Sequence, residues 1–215
     1  LILFPTSRGR YNQNKDFGLV GSCMPFLEAG KLQVMLVDGV DSYSFYNYDI
    51  PPAERIRNHM WYDRMVLEEV VMPAIERSGH DRVMVGGCSF GGYHAVNFAF
   101  RYPHLVREVI SMGGAFDIRQ FVFGHYDENV YFNNPVDFMS NMHESHHMTH
   151  FYRMGIILGT GHDDICRGDN HQMSGILNSR GIPHWLDDRP GVGHDWPWWR
   201  DMLYQYLATI FARES

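Results

Sequence analysis

Cysteine is scarce in this sequence: three cysteines, Cys23, Cys88 and Cys166, occur in 215 residues. An odd and sparse set does not make the disulfide framework of a secreted domain, so we expect a cytoplasmic protein. Lysine and arginine are also few, 18 against 25 aspartates and glutamates. The formal charge of −7 therefore argues against nucleic acid or an anionic membrane as a partner. No apolar run approaches the roughly 20 residues of a membrane span.

The chain is otherwise ordinary in composition, with 45% hydrophobic and 20% charged residues, and it has no low-complexity run, linker or internal repeat. A length of 215 residues predicts a single domain over residues 1–215. The first four residues already form an apolar strand pattern without an initiator methionine or a signal peptide. We therefore expect the native protein to have an upstream segment that this chain lacks.

Strand and helix patterns alternate along the chain. The predicted strands cover residues 1–4, 32–37, 82–86, 106–112, 154–158 and 183–186. The predicted helices cover residues 17–29, 51–77, 93–101 and 169–177, and a terminal helix ends near residue 211. This alternation predicts an α/β fold with a mostly parallel sheet and helices on both of its faces.

The pentad Gly87-Cys88-Ser89-Phe90-Gly91 joins a predicted buried strand to a predicted helix. A strand that turns at once into a helix forces its middle residue, Ser89, into a strained backbone conformation, and the flanking glycines leave room for the two elements. The strain lifts the Ser89 hydroxyl clear of the turn, and the N–H of Phe90 points at the group under attack. The pentad predicts a nucleophile at Ser89. The alternative is a glycine-rich turn that contains a serine by chance.

A serine hydroxyl is a poor nucleophile at neutral pH, so a base must take its proton and a third group must orient that base. We expect the acid and then the histidine on loops after later strands. Asp163 and Asp164 follow the predicted strand 154–158, and His194 lies in a glycine-bordered loop before the terminal helix. Turn patterns do not separate the two adjacent aspartates. The next residue, Asp195, is predicted to cap the terminal helix.

A second backbone donor for an oxyanion is expected in the loop 6–10, which follows the first strand. In a parallel sheet this loop lies at the carboxyl edge, where ligands bind. Ser7 is the predicted donor, and Thr6 is the next candidate. A plain connecting turn is the alternative, because backbone donors leave little trace in a sequence.

Residues 116–152 break the alternation of strands and helices, and they predict an insertion over the active-site edge of the sheet. The segment contains His143, His146, His147 and His150. Four neighbouring histidines suggest a metal, but a zinc site would usually include a carboxylate or thiolate partner. A solvated loop or helix end is the favoured interpretation, so we predict no metal and no cofactor.

The chain resembles the esterase family of the α/β-hydrolase superfamily, in its esterase D-like and mycolyltransferase-like branch. The resemblance rests on the pentad with Gly92, on Gly161-His162-Asp163-Asp164, and on the stretch from Gly193 to Trp196 followed by Trp199. In that family the acid is typically the fourth residue of a Gly-x-x-Asp turn, which implies Asp164 as the acid and keeps Asp163 in reserve. The family's upstream strands are missing here, and the loop 6–9 differs from the His-Gly-Gly type of lipases.

The resemblance implies an α/β-hydrolase fold and a serine esterase that acts on a small acyl ester. Ser89 would be the nucleophile, His194 the base and Asp164 the acid, with the N–H groups of Phe90 and Ser7 as the oxyanion hole. The same triad would also serve an acyltransferase, and a hydrolase fold can also carry a binding protein without catalysis. The expected partner is a small-molecule ester, and a homo-oligomer is compatible with the sequence.

Overall fold

The computed structural model describes residues 1–143 and 145–213. Residue 144 of the predicted insertion, and residues 214 and 215 of the predicted domain, lie outside the described residues. Six described strands form one sheet. They are β1 (Ile2–Phe4), β2 (Met35–Leu36), β3 (Val83–Cys88), β4 (Val106–Met112), β5 (Gly155–Asp163) and β6 (Trp185–Gly193).

All neighbouring strands pair in parallel, in the order β2-β1-β3-β4-β5-β6. The strand order reverses at β1, which pairs with β2 on one side and with β3 on the other. In open parallel sheets the crevice at such a reversal, beyond the carboxyl ends of the strands, is where ligands bind. The register sets Phe4 beside Gly87, so the loop after β1 begins next to the predicted nucleophile.

Helices connect the strands in the described chain. The α-helices are α1 (Gln13–Asp16), α2 (Met24–Glu28), α3 (Pro52–Met65), α4 (Met72–Ser78), α5 (Phe90–Arg101), α6 (Arg119–Val122), α7 (Glu128–Tyr131), α8 (Pro135–Phe138), α9 (Ser145–Phe151), α10 (Arg167–Ser179) and α11 (Trp196–Ala212). Shorter 3₁₀ segments cover Val20–Cys23, Asp41–Tyr43 and Met139–Asn141, and a π-helical segment covers Val66–Val71.

The hydrophobic core lies on both faces of the sheet, as the alternation of side chains along a strand requires. In β1, Ile2 and Phe4 belong to one buried cluster and Leu3 belongs to another. The first cluster joins the sheet to α5 and α10, and the second joins it to α11. The predicted α/β fold with helices on both faces of the sheet is therefore confirmed, and the sheet is parallel throughout its described strands.

The prediction of one continuous helix over residues 17–29 is wrong. In this region the structure has turns at residues 17–19 and then a 3₁₀ segment, Val20–Cys23, that continues directly into α2. Gly18 adopts a positive φ of 80°, which ends a right-handed helix, and Pro25 cannot donate a backbone hydrogen bond. The predicted helix over 51–77 is continuous from α3 to α4, and it passes through the π-helical segment before Pro73. Gly79 ends it with a φ of 70°.

Both strands at the β6 side of the sheet are longer than predicted. β5 continues to Asp163 and β6 continues to Gly193, so the stretches that carry Asp164 and His194 start directly from strand ends. Gly161 allows this pairing, because a Cβ there would overlap the backbone of Val192. Pro190 is tolerated within β6 because β6 is an edge strand.

The segment predicted as an insertion contains α6 to α9, and its described part packs against α3, α5 and α10. Its first part reaches the nucleophile, since Ile118 and Phe121 share a buried cluster with Phe90. Among the described residues, no helix has the length and apolar character that crossing a membrane requires.

Candidate active site

Ser89 lies at the junction between β3 and α5, in a backbone conformation that non-glycine residues rarely adopt. Its φ and ψ are 55° and −124°. The turn needs glycine on both sides: a Cβ on Gly87 would overlap the backbone of Gly91, and a Cβ on Gly91 would lie 2.5 Å from the carbonyl oxygen of Pro5. Such strain persists only where the surrounding structure enforces it, and it is typical of functional sites. The structure thus contains the sharp turn that the pentad predicts.

Three side chains from distant parts of the chain meet at this turn. Nε2 of His194 lies 2.9 Å from Oγ of Ser89, and Nδ1 of His194 lies 2.8 Å from Oδ1 of Asp164. Ser89 is partly exposed, whereas the Asp164 side chain is 1% exposed and the His194 side chain 16%. The histidine can therefore take a proton from the hydroxyl while the carboxylate holds the opposite side of its ring.

The two adjacent aspartates differ in position. Asp164 is buried and faces His194, and its Oδ1 also accepts a hydrogen bond of 2.7 Å from the N–H of Cys166. Asp163 is the exposed last residue of β5. The structure places Asp164 beside the histidine, in agreement with the resemblance. Its catalytic role stays a prediction. Asp195 accepts from the N–H of Trp196 at the start of α11, as predicted for a cap.

Gly113 is a site residue that the sequence analysis did not identify. It follows β4 with a φ of 62°, and the space that a side chain would need there is taken by Asp164 and His194. The doublet of Gly113 and Gly114 at a strand end was the available signal, since a paired glycine often marks a close approach.

The loop 6–9 lies beside the elbow, the sharp turn formed by residues 87–91. Almost all of the backbone N–H groups of this loop donate to acceptors within the protein. The N–H of Thr6 donates to Oε1 of Gln13, and the N–H of Gly9 donates to the carbonyl of Thr6. The N–H of Arg8 donates to Asp41. Within the described residues, no group accepts from the N–H of Ser7. Ser7 is therefore better placed than Thr6 to donate to an oxyanion, and its role stays a prediction.

Phe90 begins α5, and the first N–H groups of a helix have no partner within the helix. Within the described residues, nothing accepts from the N–H of Phe90. This N–H belongs to the residue after the nucleophile, where the elbow geometry predicts an oxyanion donor. The two predicted donors thus follow the ends of neighbouring strands, since β1 and β3 pair directly.

Aromatic rings continue from the histidine towards the surface. Trp199 meets the His194 ring edge to face at 4.9 Å, and Trp196 lies 5.2 Å from Trp199. Phe17 stacks on Trp196 at 4.8 Å and is 49% exposed. Trp199 is buried, so the aromatic rings that solvent reaches on this side include Trp196 and Phe17.

A second group of aromatic rings lies on the side of the loop 6–9. The Tyr46 ring lies 5.7 Å from Phe90 and 4.9 Å from Phe121, and its hydroxyl lies 2.9 Å from Oγ of Ser7. Burial raises the pKa of Tyr46, so its hydroxyl keeps its proton. Further out, Tyr48 and Phe123 lie 5.7 Å apart, and both are more than half exposed. Phe90 and Phe121 are buried, whereas Tyr46 is half-buried and Tyr48 and Phe123 face solvent.

The chemistry of the residues at the site does not favour a metal. Within the described parts of the chain, one group of three metal-binding side chains has its ligand atoms within 4.8 Å of one another: Asp164, Cys166 and His194. Burial raises the pKa of the Cys166 thiol to about 12, and the thiolate is the form that binds metals. Asp164 and His194 already hydrogen-bond each other. This arrangement suits proton transfer better than metal binding.

The histidine cluster of the insertion lies elsewhere in the fold. The rings of His146 and His150 lie 4.8 Å apart, and His104, which the sequence analysis did not include, lies 6.0 Å from His150. Within the described residues, these histidines do not form a group of three with ligand atoms within 4.8 Å. The prediction that they bind no metal stays a prediction.

Two cavities lie away from the triad. One of about 340 Å³ is lined by residues of α3, α5 and the insertion, among them Arg101 and Phe132. Another of about 830 Å³ lies at the amino edge of the sheet, where Leu1 and Leu32 contribute to it. Neither cavity is lined by Ser89, Asp164 or His194.

Solved structures with the same fold include several hydrolases. A ferulic acid esterase is 18% identical, with a TM-score of 0.70 over 96% of this chain and 81% of its own. S-formylglutathione hydrolase of Staphylococcus aureus is 17% identical. Its TM-score is 0.67, and the match covers 96% of this chain and 78% of the hydrolase. MPT51 of Mycobacterium tuberculosis is 14% identical. Its TM-score is 0.68, and the match covers 97% of this chain and 87% of MPT51. At these identities the likeness shows the fold alone.

Sequence comparison gives the family directly. No curated protein sequence matches the chain. The family model of the alpha/beta hydrolase fold matches residues 43–152, which is just over half of the chain and includes the elbow. With the parallel sheet and the strained Ser89 between β3 and α5, this match shows that the chain belongs to the alpha/beta hydrolase fold family.

Proposed function

We propose that the protein is a serine carboxylesterase that hydrolyses small acyl esters through an acyl-enzyme intermediate. The observation that carries this proposal is the continuous hydrogen-bonded line from Ser89 through His194 to Asp164. The exposed rings of Phe17 and Tyr48 and the half-buried ring of Tyr46 support an ester with an apolar acyl or aryl group. The fold likeness to a ferulic acid esterase and an S-formylglutathione hydrolase is consistent with this reaction class.

In the first half of the reaction, Oγ of Ser89 attacks the ester carbonyl while Nε2 of His194 takes the hydroxyl proton. The carbonyl oxygen becomes an oxyanion, and the N–H groups of Phe90 and Ser7 stabilise it. The bond to the alcohol then breaks, and His194 gives its proton to the leaving oxygen. Asp164 stabilises the imidazolium that forms between these two proton transfers.

In the second half, His194 takes a proton from water, and the hydroxide attacks the acyl group on Ser89. The same two N–H groups hold the second oxyanion. The bond to Oγ breaks, Ser89 regains its proton from His194, and a carboxylic acid leaves. The protein supplies all proton transfers from groups within hydrogen-bonding distance, and the cycle needs no redox cofactor.

The test is the hydrolysis of nitrophenyl esters of increasing chain length by the wild-type protein and by Ser89→Ala. Loss of a nucleophile of this kind typically costs on the order of 10⁴-fold or more in rate. We expect this loss with an unchanged circular dichroism spectrum. A Ser89→Ala protein with most of its activity would refute the proposal, as would a wild-type protein without turnover on every ester.

The products separate hydrolysis from acyl transfer. With a small alcohol added to the assay, we expect the carboxylic acid to remain the main product. An ester of the added alcohol as the main product would instead assign an acyltransferase that uses the same triad.

A further inference from the structure

A buried carboxylate connects the helix that follows the nucleophile to the loop that follows β1. Asp41 is 1% exposed, and its two oxygens bind different partners. Oδ2 accepts a hydrogen bond of 2.9 Å from the backbone N–H of Arg8. Oδ1 lies 2.8 Å from Nε2 of His94, which is on α5 five residues after Ser89. The carboxylate therefore ties the oxyanion loop to the elbow helix.

His94 is itself fixed by the rings around it. Its side chain is 2% exposed, stacks on Phe4 at 5.8 Å, and meets the Phe90 ring at 5.1 Å. Phe4 is the last residue of β1, and Phe90 carries one predicted oxyanion donor. A rigid imidazole gives the Asp41 carboxylate a defined position relative to the elbow.

Arg8 needs an external restraint because its backbone is strained. Its φ of 57° is in the left-handed region, which is unfavourable for a residue with a Cβ. The hydrogen bond to Asp41 stabilises this conformation. The hydrogen bond from Arg8 to Asp41 fixes the peptide plane that follows Ser7. The preceding plane, which carries the N–H of Ser7, is held by the hydrogen bond from the N–H of Gly9 to the carbonyl of Thr6.

The remaining contacts of the loop leave one donor free. Gln13 accepts from Thr6, and Asp41 accepts from Arg8, so the residues on both sides of Ser7 are held. Tyr46 holds the Ser7 side chain through its hydroxyl. The N–H of Ser7 is thereby kept apart from internal acceptors and available to a ligand.

We propose that Asp41, held by His94, is a positioning residue that orients the N–H of Ser7 toward the oxyanion formed at Ser89. The inference rests on the proposed esterase function and goes beyond it, because Asp41 touches neither the triad nor the substrate. A donor positioned in this way stabilises the transition state and not the ground-state ester. Its loss therefore lowers kcat and leaves KM nearly unchanged.

The experiment compares Asp41→Leu and Asp41→Asn with the wild type, and kcat is expressed per active site titrated with a phosphonate ester. Leucine is close to aspartate in size and accepts no hydrogen bond, so we expect kcat to fall by about 100-fold. Asparagine keeps one acceptor for Arg8, so we expect it to restore part of that loss. An alkyl boronic acid, which forms a tetrahedral anion on serine, should lose affinity in the same order.

Asp63 is the matched control. It is 5% exposed, and it accepts from Arg101 at 2.7 Å and from Tyr102 at 2.9 Å at the far end of α5. The same two substitutions at Asp63 remove a buried carboxylate of the same helix environment without touching the oxyanion loop. We expect them to lower the melting temperature and to leave kcat per titrated site within about threefold of the wild type.

Each result decides one point. Unchanged kcat in Asp41→Leu, or equal losses at Asp41 and Asp63, would overturn the positioning role. If Asp41→Leu does not fold, the Asp41→Asn variant decides the question. A carboxamide has one acceptor oxygen where the carboxylate has two, so kcat should fall by roughly threefold to tenfold. An unchanged kcat in Asp41→Asn would overturn the proposal. If Ser89→Ala keeps its activity, the proposed function fails, and this inference fails with it.

Discussion

Gly113 lies directly against His194. A Cβ on Gly113 would lie 3.0 Å from Nδ1 of His194 and 2.7 Å from Oδ2 of Asp164. Both distances are shorter than an ordinary carbon contact of about 3.5–4.0 Å. The hydrogen bond between the acid and the base therefore depends on the absence of a side chain at the end of β4.

We predict that Gly113→Ala lowers kcat on the order of 100-fold, because a displacement of about 1 Å in a catalytic group has an effect of that size. Gly124→Ala is the control, since Gly124 also has a positive φ, 83°, but no atom within 4 Å of the added Cβ. Both variants should lose about 1 kcal/mol of unfolding free energy from backbone strain. Equal activity in the two variants, measured with one ester, would contradict the prediction.

The two aspartates after β5 should differ in their effect on catalysis. Asp164→Asn removes the negative charge that stabilises the imidazolium and favours the wrong tautomer of His194, so kcat should fall by roughly 10⁴-fold. Asp163→Asn changes an exposed side chain and should have little effect. Steady-state kinetics on one ester compare the two variants directly. The reverse ranking would assign the acid to Asp163 and keep the rest of the mechanism.

Activity should survive prolonged treatment with a chelator such as EDTA. A serine triad generates its nucleophile with a base and without a Lewis acid. Activity lost with the chelator and restored by zinc would show that a metal is needed. In that case the variant His146→Ala would test whether the histidine cluster binds it.

Stability at acid pH should depend on Asp188. The hydrogen bond from Arg167 lowers the pKa of Asp188 from 3.8 to about 2, with a further contribution from His171. Because the pKa is lower in the folded state, the stabilisation is fully present above about pH 4 and is lost as the pH falls towards 2. The difference in urea midpoint between the wild type and Asp188→Asn should shrink over that range. Asp49→Asn, at an exposed position, should show no such trend.

Local patterns were sufficient to predict the sharp turn at Ser89 between a strand and a helix. Strand, turn and glycines around Ser89 are adjacent in the chain, so their pattern is visible in the sequence. The choice of Asp164 over Asp163 needed the family resemblance, because neighbours on a strand differ only in the face they occupy. The structure places Asp164 on the side of His194.

The lengths of β5 and β6 could not be predicted from local patterns. Their ends contain glycine, aspartate and Pro190, which are typical of loops. They form strands because they pair with each other, Gly161 beside Arg189 and Asp163 beside Gly193. The same limit applies to Asp41 and Gly113, whose roles depend on contacts with residues far away in the sequence.

The hydrogen bond between Ser89 and His194 joins residues 105 positions apart, and it bears on the order of events in folding. His194 directly follows β6, the edge strand, which pairs only with β5 among the described strands. Contacts of such separation form after the shorter loops have closed, because closing a long loop costs more entropy. A refolding chain therefore gains a working base no earlier than the docking of its last strand. Recovery of the Ser89–His194 contact therefore reports the assembly of the sheet from β3 to β6.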